Sequence, residues 1–87
     1  MPRLHELKLW PEGFKAIITG NSTAQFRKDD RGFQVGDRLM LKEFEPLHHK
    51  YTGREIEVYV THITRGPDFS IPEGYAVLSV TRVRLGL

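Results

Sequence analysis

The run Gly20-Asn21-Ser22-Thr23-Ala24-Gln25-Phe26-Arg27-Lys28-Asp29-Asp30-Arg31 gathers hydroxyls, amides and charges of both signs around one large apolar side chain, Phe26. Read as extended over residues 23–28, it sends alternate side chains to opposite faces. Phe26 and Ala24 then point one way, to seal a core, while Thr23, Gln25 and Arg27 point the other way, towards a ligand. A guanidinium gives a planar donor fork and an amide both donates and accepts, which together suit a phosphate and a base edge. The competing expectation for Arg27 is an ion pair with an acidic neighbour such as Asp37, its companions facing water. Upstream, Lys8 and Trp10 share one face of a short extended segment and offer a cation beside a stacking surface; the alternative place for a lone tryptophan is the core. Lys28, Arg31, Arg82 and Arg84 are positioned to rim the same opening, or else to be solvated surface charges.

Other chemistries lack their residues. There is no cysteine, so disulfides, thiolate metal sites and thiol nucleophiles are excluded. His48 and His49 are adjacent, and adjacent side chains on a strand point to opposite sides, while His5 and His62 have no partner at zinc-ligand spacing. No nucleophile elbow, phosphate loop or dinucleotide fingerprint occurs. No metal and no cofactor is expected. Thirteen basic residues against 11 acidic ones leave a net charge of +2, and the two signs interleave along the chain. Non-specific duplex binding needs a coherent basic stripe, so any nucleic-acid contact should be local.

Eighty-seven residues, 39% hydrophobic and 28% charged, suit one small globular domain with a thin core. No apolar run approaches the roughly 20 residues that span a bilayer, and the first residues lack a signal-peptide apolar region. The expectation is a cytoplasmic protein with no membrane partner, which also fits the absence of cysteine.

The elements that must position these groups follow from periodicity. Leu4 to Trp10 reads as a strand with Leu7 and Leu9 on one face and Glu6, Lys8 and Trp10 on the other. Pro11 suits a first helical position, and Phe14, Ile17 and Ile18 make a buried stripe on a helix running to about Thr19, closed by Gly20 and Asn21. Turns at 29–32 and 35–37 lead to a strand over Arg38 to Glu45, with Leu39 and Leu41 on one face. After Pro46 and a loop, Arg54 to Arg65 forms the clearest strand, through Ile56, Val58 and Val60, and the switch of apolar position to Ile63 implies a bulge. Residues 66–74 form a loop, and Tyr75 to Leu85 closes the chain with Ala76, Leu78 and Val80 inward. The fold class is mostly β with one or two short helices (α+β), as a small barrel of about five to six strands that hides its edges.

The segments His5-Glu6-Leu7-Lys8-Leu9-Trp10-Pro11, Thr23-x-x-Phe26-Arg27-Lys28-x-Asp30-Arg31, Phe33-x-Val35-Gly36-Asp37 and Tyr51-Thr52-Gly53-Arg54-Glu55 resemble the small PUA-like domains of bacteria and phages in the ASCH (activating signal cointegrator homology) superfamily. The resemblance covers nearly the whole chain. It implies a pseudobarrel with a helix over one opening and a cleft walled by Gly20 to Arg27, associated with RNA or nucleotide recognition. The superfamily signature places a glycine at Gly20, a hydroxyl at Thr23 and an arginine at Arg27, whereas its lysine position holds Ser22 and its middle, often acidic, position holds Gln25. A similar branch of amidohydrolases acting on N4-acetylcytidine uses that lysine, a threonine at the middle position and a later glutamate. The reading is therefore a non-catalytic module binding RNA or a nucleotide through Lys8, Trp10, Ser22, Thr23, Gln25, Arg27 and Lys28. The alternatives are an amidohydrolase on modified nucleosides, with Lys8 in place of the missing lysine, and a phage or mobile-element adaptor that binds protein.

Overall fold

The computed structural model describes residues 3–83; Arg84, expected at the rim, lies outside the described residues. In chain order the elements are β1 (Leu4–Leu9), α1 (Pro11–Ile18), β2 (Ala24–Lys28), β3 (Arg38–Glu45), β4 (Lys50–Arg65) and β5 (Tyr75–Arg82), with one 3-10 turn at Asp68–Ser70. The strands make one sheet in the order β1-β3-β4-β5-β2, curled into a half-barrel. The β1–β3 pair is parallel and the other three are antiparallel. Placing β2 at the far edge leaves β3 to pair with β1 in the parallel sense, with α1 in the connection between them.

Pro11 stands at the start of α1 with Glu12 in its first turn, where the missing N–H costs nothing and the carboxylate meets the positive end of the dipole. Phe14 and Ile17 are buried on its inner stripe. Gly20, at φ +79, closes it in the left-handed region that a side chain would disfavour. The helix packs Phe14 and Ile17 into a core built from the inward residues of every strand except β2, with Leu39, Leu41, Val58, Ala76 and Leu78 essentially inaccessible to solvent.

Strand β4 starts four residues before the expected Arg54. The turn at 46–49 is tight enough for Phe44 to face Tyr51 and Glu45 to face Lys50, and the register shift between Lys42 and Phe44 absorbs extra residues of β4 at Gly53, φ +92. The buried Glu43 accepts a 2.7 Å hydrogen bond from the Thr52 hydroxyl there. A second shift falls between Val60 and His62, where the sequence implied a bulge.

The ion pair expected between Arg27 and Asp37 is not formed. Asp37, only 1% exposed, accepts from the His5 ring (Nε2 to Oδ2, 2.9 Å) and from the backbone N–H groups of Arg3 and Gln34 (both 3.0 Å). His5 is itself buried and sits edge-on to Phe33, centroids 4.8 Å apart. A histidine is the better partner because its ring covers Phe33 while its N–H satisfies the carboxylate. Burial alone would raise the Asp37 carboxyl, but the hydrogen bonds from His5, Arg3 and Gln34, with the charge of His5, hold it below the usual carboxylate range.

Because the folded-state value is depressed, Asp37 contributes stability that is fully present above its unfolded value, near 3.9, and is lost as pH falls through the folded value. Asp37→Ala, which strands three donors, should cost about 3 to 5 kcal/mol. That loss should lower the melting temperature at pH 7 by more than about 10 °C. The gap between wild type and Asp37→Asn in a melt series should narrow as pH falls below about 4; a gap independent of pH would show that the ionised carboxylate is not what holds this corner.

Candidate functional site

The two edge strands of the half-barrel, β1 and β2, are not paired with each other. A seam lies between them, and arginine side chains cross it. Nη2 of Arg27 donates to the Lys8 carbonyl and to Oε1 of Gln25, each at 3.0 Å. Nη1 of Arg31 donates to the Glu6 carbonyl at 3.3 Å, and Nη2 of Arg3 donates to the carbonyls of Arg31 and Gly32. Outward-pointing backbone acceptors of β1 are thus met by guanidinium groups instead of another strand.

Beside the Arg27 bridge the seam widens into a groove of about 380 Å³, whose walls include Lys8, Leu9, Trp10, Glu12, Gln25 and Arg27. Lys8 and Trp10 from one stretch of sequence and Gln25 and Arg27 from another therefore converge on one cleft. Ser22, Thr23 and Lys28 do not line it. The Ser22 hydroxyl is engaged locally with the backbone of Ala24, the Thr23 carbonyl continues the sheet by accepting from the Val80 N–H at 2.8 Å, and Lys28 is exposed across from Tyr75.

The faces of β2 are opposite to those expected. Gln25 is buried and Phe26 is 57% exposed, because Gln25 pairs with Leu78 and Arg27 with Ala76, both inward positions, whereas Phe26 pairs with Val77. At the edge of an open half-barrel the inner face borders a groove instead of a closed core, and polar side chains are stable there when hydrogen-bonded to each other and to β1. Phe26 instead stacks on Tyr75 outside, rings 5.3 Å apart and nearly parallel. Trp10 is 61% exposed, so its place is the groove wall and not the core. Glu12 was legible only as a first-turn acid of α1; its position directly after Trp10-Pro11 is the signal that puts a carboxylate on the same wall.

Arg27 is half-buried with no carboxylate in ion-pair range among the described residues. Burial, and then the charge of Arg31, lower its guanidinium from the usual value, which is high enough that the group remains a cation at neutral pH. Its two side-chain hydrogen bonds among the described residues both leave from Nη2, so towards these residues Nε and Nη1 keep their N–H groups available. The ammonium of Lys8 lies elsewhere, 4.1 Å from the centroid of Phe44; what Lys8 gives the bridge is its carbonyl. Among the described residues no group of three or more His, Asp or Glu side chains could hold a metal, and no helix is long and apolar enough to cross a membrane.

Since no carboxylate is left behind, Arg27→Ala should cost only about 1 to 2 kcal/mol, the range for hydrogen bonds lost at a half-exposed position. A thermal melt beside Asp37→Ala checks the ranking. A loss as large as that of Asp37→Ala would make Arg27 chiefly a strut of the fold.

Residues 4–80 match the profile of a family described as a domain of unknown function, DUF3850. The chain is also 36% identical over 78 residues to a protein of Escherichia phage P2 titled an uncharacterized 12.9 kDa protein in the GpA 3' region, an alignment covering 90% of this chain and 68% of the phage protein.

Proposed function

The chain belongs to the DUF3850 family, and we propose that its open seam is a non-catalytic cleft for RNA or a nucleotide, with Arg27 gripping a phosphate and Trp10 stacking a base. The observation that carries this reading is the half-buried guanidinium that, among the described residues, has no carboxylate partner and leaves Nε and Nη1 unengaged. An oriented cation of this kind binds an oxyanion at little cost in ordering, and a planar fork matches phosphate geometry. The exposed indole of Trp10 supplies a π-face beside it, and base stacking on an aromatic tolerates any base. Glu12, on the same wall, can accept from an exocyclic amine, while Gln25 orients Arg27 through its amide oxygen. The resemblance to PUA-like domains of the ASCH superfamily, through Gly20, Thr23 and Arg27, supports the same reading, as does a half-barrel sheet with one short helix packed into its core.

Trp10 is the only tryptophan, so its fluorescence reports directly on the groove. Titration at low salt with a single-stranded RNA and with free nucleoside monophosphates should give saturable quenching, with a shallow salt dependence because few phosphates are neutralised. Arg27→Lys, which keeps charge but loses the fork, should weaken binding about tenfold, or roughly 1.4 kcal/mol, while lowering the melting temperature no more than Arg27→Ala does. Negligible binding of every nucleotide and oligonucleotide tried would overturn the reading. Turnover of N4-acetylcytidine that disappears in Lys8→Ala would show instead a hydrolase.

A further inference from the structure

Beyond the groove, the tip of the β3–β4 hairpin carries an aromatic cluster for which the core has no use. Phe44 packs edge-on against Tyr51 and His49, with centroid distances of 5.2 and 6.2 Å. The Lys8 ammonium rests on the Phe44 ring. Tyr51 is 53% exposed, and Leu47 and Lys50 around it face solvent. The cluster adjoins the groove through the end of β1: Lys8 stands in register with Lys42 and Leu9 with Glu43 on β3, immediately before Phe44, and the next residue is Trp10. Trp10 follows β1 in extended conformation, and alternation puts it on the same side as Lys8. A continuous surface thus runs from Arg27 and Trp10, past Lys8, to Phe44 and Tyr51.

Part of its charge is unpaired among the described residues. Lys42 is engaged by Glu6 at 2.6 Å, which removes the carboxylate two residues from Lys8 on the same strand face. Among the described residues no ion pair engages Lys8 or Lys50. Glu45, across from Lys50 in register, accepts instead from the Leu47 N–H at 2.7 Å. Cations alternating with exposed aromatic rings suit a polyanion that also carries π-faces. An acidic peptide would satisfy the lysines but leave the rings without stacking partners.

We infer that the cleft's ligand is a single-stranded oligonucleotide whose chain leaves the groove across Lys8 and stacks a further base on Tyr51 at the hairpin tip. The inference rests on the reading of the seam as a nucleotide cleft and deepens it: the groove holds one nucleotide and the tip holds a neighbour. A free nucleotide would use only the first subsite, so the tip contributes affinity only to a ligand long enough to reach it.

The test compares a nucleoside monophosphate with a mixed-sequence single-stranded RNA of about eight nucleotides, within the site sizes of single-strand binders. Wild type, Tyr51→Ala and Tyr51→Leu are titrated by Trp10 fluorescence, with circular dichroism verifying that each variant is folded. Tyr51→Leu keeps apolar cover on Phe44 but removes the ring, so it serves should the alanine variant fail to fold. The octanucleotide should bind wild type at least tenfold more tightly than the monophosphate. Both Tyr51 variants should weaken octanucleotide binding about tenfold and leave monophosphate binding unchanged. Equal affinities for the two ligands in wild type, or octanucleotide binding untouched in a folded Tyr51 variant, would overturn the hairpin subsite while leaving the groove reading standing. Absence of binding by both ligands would overturn the two together. An acidic peptide competing with the octanucleotide at the tip as strongly as a second RNA would likewise count against the inference.

Discussion

Asp37 is the constraint on which the rest of the sheet depends. One carboxylate receives the start of β1 through Arg3 and His5 and the turn before β3 through Gln34, while the Asp37 carbonyl accepts from the Val60 N–H of β4 at 2.9 Å. Three segments distant in sequence are thereby fixed at one buried point. The parallel β1–β3 pair most needs this support, because it closes over a connection of nearly thirty residues and parallel ladders are slightly weaker per residue than antiparallel ones. With His5 locked, Leu7 and Leu9 fall on the core side and Lys8 and Trp10 on the other. The position of the candidate site on β1 is therefore a consequence of a histidine–carboxylate contact at the strand's opposite end.

The same topology leaves two edges. Unpaired strand edges invite pairing with other chains, and proteins protect them with charge, twist or cover. Here Arg27 and Arg31 reach from the β2 side to carbonyls of β1, so the acceptors are met while the strands stay apart. Side chains span a wider gap than a backbone ladder can, and that extra width is the groove. The half-barrel is open because its seam is bridged by guanidinium groups, and the bridge itself is what a ligand would meet.

Much of this was legible in the chain. Proline at the helix start, the Phe14 and Ile17 stripe, the strict limits of β3, the loop at 66–74 and the bulge after Val60 each have a local cause, and local causes survive folding. The convergence of Lys8, Trp10, Gln25 and Arg27 was also readable, since all flank the helix that brings β1 and β2 towards the same opening. The faces of β2 were not. Alternation says which residues share a face but not which face is inward, and at an edge strand the hydrophobic choice, Phe26 inside, loses to the register with Leu78 and Ala76. Nor did pattern reveal His5 as the partner of Asp37, because a contact across more than thirty residues leaves no periodic trace.

The inversion of β2 bears directly on what its polar residues can do. Had Gln25 and Arg27 faced open solvent, their geometry would be loose, and ordering them on a ligand would cost side-chain entropy. Facing the seam, Gln25 is buried and holds one edge of the guanidinium, and the Lys8 carbonyl holds it from the opposite strand. The cation is thereby oriented before any ligand arrives, at a site where partial desolvation strengthens its field. Nearly balanced charges, 13 basic residues against 11 acidic ones, leave the protein with little net attraction for anions. On the proposed reading, selectivity for a phosphate would come from this one oriented group and the aromatic faces beside it, an arrangement that suits local recognition of a flexible strand and not grip along a duplex.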